Sequence, residues 1–294
     1  MHPHTPTVAA AVRAAPDLAG RLDALAGAYQ GERCVIVTCG PSLGEVPVDR
    51  LRGALEGVLT LSVKQAVHIT AEHTDFLCFN SFNVTRFTTP SKDTIRCFAR
   101  EPTGKTPQLN RADLTIDQAT DVGDLRRSLA VTTDFASHPL TAQTPRPWGP
   151  GIMYELVLHL AVHLGVAHIT TIGWDIGNPQ GKNTHFYDRA DEDDFFERDR
   201  SSAFTMASAR GHIPGIAKRA GRWGRALVAH SRGRVYNRAL PVSGETEVVG
   251  ASTAAANAWL AANGIELEVI TPSEQLDVSI SRLGIEEFLQ RSGA

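Results

Sequence analysis

Apolar positions along this chain recur in changing rhythms, and their order predicts strands alternating with helices. From Thr7 to Tyr29 they fall at helical spacing, and Pro16 followed by Asp17 marks a second helix start within that stretch. Val35, Ile36 and Val37 are consecutive and β-branched, as expected of a strand, Arg33–Thr38, covered on both faces. That run breaks abruptly into Gly40-Pro41-Ser42-Leu43. Glycine there lets the backbone turn and approach a bound group, Pro41 fixes the turn, and Ser42 offers a hydroxyl. A helix over Asp49–Glu56 and strands over Val58–Val63, Asp75–Asn80 and Thr94–Phe98 follow, with Lys64 and Gln65 tipping the turn after the second strand.

Residues 100–147 are polar and weakly periodic, and read as an insertion with one helix near Val122–Leu129. The pattern sharpens again in a helix that starts near Gly151 and is stopped by Gly165, then in a strand His168–Ile172 that runs into Gly173-Trp174-Asp175. Asp191–Asp199 is acidic, whereas Arg200–Arg238 is rich in Arg and Lys without Asp or Glu, a reversal suited to a partner-facing segment. A helix over Ala251–Asn263, a strand over Glu266–Ile270 and a short helix near Ile285–Gln290 complete the pattern.

This alternation predicts an α/β fold with an open, mostly parallel Rossmann-like sheet flanked by helices. Residues 1–30 are expected to form an N-terminal helical extension, and 31–294 a single α/β domain with insertions at about 100–147 and 190–245. Ligands of such sheets bind outside the carboxyl ends of the strands. Ser42, Lys64 and Asn80 are all predicted to lie there.

Composition narrows the picture. The chain has 294 residues, 42% of them hydrophobic, enough for a sizeable core. A net charge of -3 gives no global attraction to nucleic acid. Cys34, Cys39, Cys78 and Cys97 form no CxxC pair and show no zinc spacing, so they are expected to be reduced core thiols. The Met1-His2-Pro3-His4 start has no apolar signal region, and no run of about 18 apolar residues occurs; a cytoplasmic protein, at most peripheral to a membrane, is expected.

Several blocks together resemble a known family. Gly40-Pro41-Ser42-Leu43 after a buried strand, the Gly151 helix, Gly173-Trp174-Asp175, Thr184-His185-Phe186 and the closing run Ala254–Pro272 are similar to bacterial sialyltransferases of glycosyltransferase family 42. They also resemble the related DUF115 group, which includes motility accessory factors. The similarity spans about half the chain, and the fold it implies is a variant of the GT-A arrangement. It implies transfer of a CMP-activated acidic sugar of the sialic acid or nonulosonate type to a hydroxyl of a glycan or other acceptor, with inversion and no required divalent metal or tightly bound cofactor. His185 would be the general base, a role suited to an imidazole that titrates near neutrality. Gly40, Pro41, Ser42, Leu43, Lys64, Asn80, Gly151 and Asp175 would form the nucleotide site. Lys64 stands where those enzymes carry an asparagine, and its cation could pair with a phosphate or sugar carboxylate. Asp175 could touch substrate or hold the loops through backbone hydrogen bonds, and the second role is favoured. Of the family's two leaving-group tyrosines, the first corresponds to Gly177 and the second has no match; Tyr187 is the candidate substitute. Arg146 approximates a family arginine, one position out of register.

Other patterns have plainer readings. Asp191-Glu192-Asp193 matches DxD but lies within an acidic run, the mark of a solvated face. His159 and His163 are four apart on a helix without a HExxH glutamate, and read as core or interface residues. The basic segment, with Trp223 and Tyr236, suits a lid over an acidic donor, an RNA contact or an anionic lipid surface. No GxxxxGK[ST] or GxGxxG occurs. The alternatives to a sugar transferase are a magnesium- and ATP-dependent pterin pyrophosphokinase of the DUF115-like kind, and a nucleotide-binding partner without chemistry.

Overall fold

A computed structural model describes residues 1–80, 91–100, 112–117, 133–137, 140, 152–175, 242–271 and 278–291. Helices α1 (Thr5–Ala14) and α2 (Leu18–Leu25) come first, and the Asp17 side chain caps α2 by accepting the Gly20 N–H at 2.8 Å. The chain then enters β1 (Arg33–Val37), a 3-10 turn (Pro41–Glu45), α3 (Val48–Ala54), β2 (Leu59–Val63), α4 (Val67–Thr70) and β3 (Phe76–Asn80). Strands β4 (Ile95–Arg100) and β5 (Leu114–Asp117) follow. A π-helical turn (Met153–Val157) runs into α5 (Leu158–Leu164) and then β6 (His168–Ile172). Helix α6 (Val242–Ala262), β7 (Glu266–Ile270), β8 (Ser281–Arg282) and α7 (Ile285–Arg291) close the described chain.

All eight strands join one sheet in the order β5-β4-β3-β2-β1-β6-β7-β8, and every pairing is parallel. Strands β2 to β5 step outward from one side of β1, and β6 returns to its other side. The crevice between β1 and β6 is therefore the topological switch point of the sheet, at its carboxyl end.

Alternation along β1 shows why its apolar run is unbroken. Cys34 and Ile36 face a core shared with Val12, Leu25, Leu160 and Leu260 of α1, α2, α5 and α6, whereas Val35 and Val37 face one shared with Leu51, Phe288 and Leu289 of α3 and α7. A strand covered on both faces needs apolar side chains at every position. The N-terminal helices thus share the larger core of the sheet itself. Gly165 ends α5 in the left-handed conformation (φ 80°), the expected stop.

The differences from expectation are local. Strand β5 was hidden within the polar 100–147 stretch, because Leu114 and Ile116 alternate with Thr115 and Asp117 over only four residues. Helix α6 begins nine residues before Ala251, through Val248, Val249 and Gly250, residues of low helix propensity that obscured its start. The proposed helix at 122–129, the acidic 191–199 run and the basic 200–238 segment lie outside the described residues. Cys34, Cys39, Cys78 and Cys97 are all buried and free, as expected. His159 is buried against Phe135 and Trp259, and a ring nitrogen of His163 is 2.7 Å from the Leu22 carbonyl, so both serve packing. No described helix is long and apolar enough to cross a membrane.

Candidate functional site

Beyond β1 the ladder to β6 continues as a braid. Thr38 N–H donates to the Ile172 carbonyl at 2.8 Å, and the Thr38 hydroxyl donates to the Gly173 carbonyl. Gly40 N–H donates to the same Gly173 oxygen at 2.8 Å. Gly173 has φ 72°, and a Cβ there would lie 2.9 Å from the Thr38 carbonyl oxygen, so conformation and space both require glycine.

Gly40 is glycine for a different reason from the one its sequence context suggests. Its φ is -64°, open to any residue. A Cβ at Gly40 would fall 2.2 Å from the Gly173 carbonyl oxygen and 2.5 Å from Asp175 Oδ2. The close approach is therefore made by the protein's own β6 exit, and that space is already filled from within.

Asp175 is the hub of this end of the sheet. Its Oδ2 accepts the Ser42 N–H at 2.6 Å, and its Oδ1 accepts the Ser42 hydroxyl at 2.8 Å and the Thr271 hydroxyl. One carboxylate thus ties together the exits of β1, β6 and β7, in line with the loop-holding role favoured from sequence. Leu43 N–H donates back to the Gly40 carbonyl at 3.1 Å, and the Leu43 side chain is buried in the core beneath. The consequence is chemical: the amides of Gly40, Ser42 and Leu43 are all engaged, and Pro41 has none. These residues offer no amide cradle to a phosphate. What they present is a rigid wall.

Arg282 of β8 lies 3.5 Å from the Thr271 carbonyl oxygen, and a second positive charge at this end comes from β2. Lys64, directly after that strand, holds φ 51°, a left-handed conformation that costs a non-glycine residue about 1 kcal/mol or more. The neighbouring Cys39 thiol lies 3.0 Å from the Val63 carbonyl oxygen and 3.8 Å from the Gln65 side-chain oxygen, which pins the Lys64 turn against the exit of β1. Burial pushes the Cys39 thiol up to about 11, outweighing the opposite pull of the Lys64 charge, so it stays protonated at neutral pH and is a poor nucleophile. Asn80 is the last residue of β3, in register with Ala99. The structure thus brings Gly40, Pro41, Ser42, Leu43 and Asp175 together, with Lys64 one strand away and Asn80 two. Gly151, His185 and Tyr187 lie outside the described residues, as do Arg146 and Gly177.

Two residues near the β6 exit were not picked out from sequence. Thr271 was legible only as a hydroxyl residue immediately after a buried parallel strand. Tyr154 sits on the π-helical turn with its ring 5.7 Å from that of Trp174, and its buried hydroxyl has no hydrogen-bond partner among the described residues. Burial pushes that phenol well above its ordinary range.

No family model matches the chain, and no curated protein matches it. Among solved structures, a MAf glycosyltransferase from Magnetospirillum magneticum AMB-1 aligns with 61% of this chain at 12% identity and a TM-score of 0.33. The aligned region spans 29% of that protein's own length.

Proposed function

We propose that this chain is a glycosyltransferase whose nucleotide-sugar donor lies across the carboxyl ends of β1, β2, β3 and β6. The observation that carries the reading is the placement of the braced Gly40–Leu43 turn at the β1/β6 switch point, where open parallel sheets bind their ligands. Because the turn's amides are engaged, it is assigned to the nucleoside as a packing wall, with Ser42 keeping lone pairs to accept from a sugar hydroxyl. Asp175 acts through Ser42 rather than on the ligand. Lys64 supplies the cation that meets the phosphate or sugar carboxylate, and Asn80 contributes an amide.

The donor is a CMP-activated acidic sugar. In the proposed reaction His185 takes the proton of an acceptor hydroxyl, the resulting oxygen attacks the anomeric carbon from the face opposite CMP, and the bond to the phosphate oxygen breaks with its electron pair leaving on CMP. The new glycosidic bond has inverted configuration. Side-chain donors can stabilise the departing phosphate without a metal.

His185→Ala is expected to abolish transfer while leaving CMP-induced thermal stabilisation unchanged. Retained turnover in that variant would sink the base assignment. A panel of CMP, CDP, UDP, GDP and ATP, each with and without Mg²⁺, tests the donor. Stabilisation by CMP without magnesium is expected, whereas a response to another nucleotide alone would remove the CMP assignment.

A further inference from the structure

At the opposite, amino end of the sheet, three side chains that the proposed sugar chemistry does not use converge on one point. His168 opens β6 and Glu266 opens β7, in direct register, and Glu268 follows two residues later on the same face. Their ligand-capable atoms all lie within 4.8 Å of one another. His168 Nε2 is 3.1 Å from Glu268 Oε2 and 4.0 Å from Glu266 Oε2.

We propose that His168, Glu266 and Glu268 form a binding site for a divalent transition-metal ion of the zinc type. Bonds of about 2.0–2.2 Å from one ion to an imidazole nitrogen and a carboxylate oxygen put those atoms roughly 3.0–3.5 Å apart, the separation seen between His168 and Glu268. Glu266, whose side chain is 71% exposed, needs only a small rotamer adjustment to close the third position. Glu268 is 8% exposed, and among the described residues its Oε2 has no hydrogen bond, its nearest partner being the His168 ring at 3.1 Å, so a cation held between the two would offset the cost of burying that oxygen. Its other oxygen, Oε1, is 3.4 Å from Arg291 of α7, and Arg291 also pairs with Glu287 at 2.6 Å. The guanidinium thus holds one oxygen and leaves the other turned toward His168. Glu266, Glu268 and Glu287 against Arg291 and Arg33, the latter on β1 in register with His168, still leave one net negative charge here, and a mixed imidazole and carboxylate set favours a transition metal over Mg²⁺.

Among the described residues His168 Nδ1 has no hydrogen-bond partner, so none of them supplies the outer acceptor that usually orients a metal-bound imidazole. Affinity on the order of ten- to a hundredfold below a fully supported site follows. Lying at the amino end of the sheet, the ion would join β6 and β7, with Arg291 of α7 behind Glu268, and take no part in chemistry at the carboxyl end. The inference stands independently of the sugar-transferase reading.

The test is titration of the full chain with Zn²⁺ by calorimetry, backed by the visible spectrum of the Co²⁺ form. Wild type should bind one equivalent with a rise in melting temperature. Glu266→Ala removes an exposed side chain and leaves the fold intact by circular dichroism; it and His168→Gln should each weaken binding at least tenfold and change the Co²⁺ spectrum. His4→Ala should bind as wild type. Absence of saturable binding by wild type overturns the proposal, as does undiminished binding in Glu266→Ala and His168→Gln. Loss of binding in His4→Ala would put the ion at the His2/His4 terminus and overturn it equally.

Discussion

Asp75 and Asp175 perform the same local chemistry at opposite ends of one sheet. Asp75, just before β3, accepts the His2 N–H at 2.8 Å, the Thr5 hydroxyl at 2.7 Å and the Thr60 N–H at 2.8 Å. Asp175, just after β6, accepts one N–H and two hydroxyls from the exits of β1 and β7. Each carboxylate binds together segments far apart in sequence. The difference is burial: Asp75 has no exposure, whereas Asp175 is partly open at the switch point. At the amino end the device fastens the N-terminal helices to the sheet; at the carboxyl end it shapes the rim of a crevice. A polar cluster of one design is therefore sealed at one end of the sheet and left partly open at the other.

The sharpest way to break this comparison is Asp75→Ala. It strands the buried His2 and Thr60 amides, each worth about 1–3 kcal/mol, leaves the Thr5 hydroxyl only its Tyr29 partner, and should lower unfolding stability by roughly 3–5 kcal/mol in urea titration. A loss near zero would mean that the N-terminal helices are not held there. Burial also pushes the Asp75 carboxyl above its ordinary range, against the hydrogen bonds that pull it down. Its ionisation therefore opposes folding, and stability is lost as pH rises from the ordinary carboxylate value through the raised one.

Gly40→Ala tests the other end. Its Cβ would collide with backbone at 2.2 Å, so the braid must open, at about 2–3 kcal/mol. Nucleotide-induced stabilisation should vanish with it. A variant that folds normally and keeps its nucleotide response would show that the braced turn is not a wall of the site.

The smallest effect concerns Asp113, at the start of β5. Burial alone would raise its carboxyl, but hydrogen bonds from Arg13 and the Arg96 amide, with both guanidinium charges, hold it below the usual carboxylate range. Its contribution is complete above the ordinary carboxylate value and is lost as pH falls through the depressed one. Asp113→Asn should remove about 1 kcal/mol at neutral pH, discounted because Arg13 is about a third exposed, and flatten the acid limb of a stability profile. An unchanged acid limb would assign that pH dependence to other groups.

Much of the fold was legible in the chain because burial on two faces writes itself as apolar runs. Arg33–Val37, His168–Ile172 and Glu266–Ile270 were readable to within a residue, as was the glycine that ends α5. Strand β5 was not, since an edge position lets polar residues alternate and blurs the signal. At the site, Ser42, Lys64 and Asn80 could be put at strand ends from spacing alone, and Gly173 and Asp175 were visible as a motif. The reason for Gly40 was not visible. Its neighbour in space, Gly173, is distant in sequence, and only the parallel pairing of β1 with β6 brings them together.

By itself, the sequence determined the class of architecture, the carboxyl-end positions of the candidate residues and the absence of zinc-type cysteine spacing, because those depend on local periodicity and residue type. The strand order, the switch point between β1 and β6, the sharing of Asp175 among Ser42 and Thr271, and the meeting of His168 with Glu266 and Glu268 were decided by the tertiary structure. Apart from the short steps from β1 out to β5, each depends on contacts across 90 residues or more, where no local propensity reaches and only the register of packed strands determines which side chains meet.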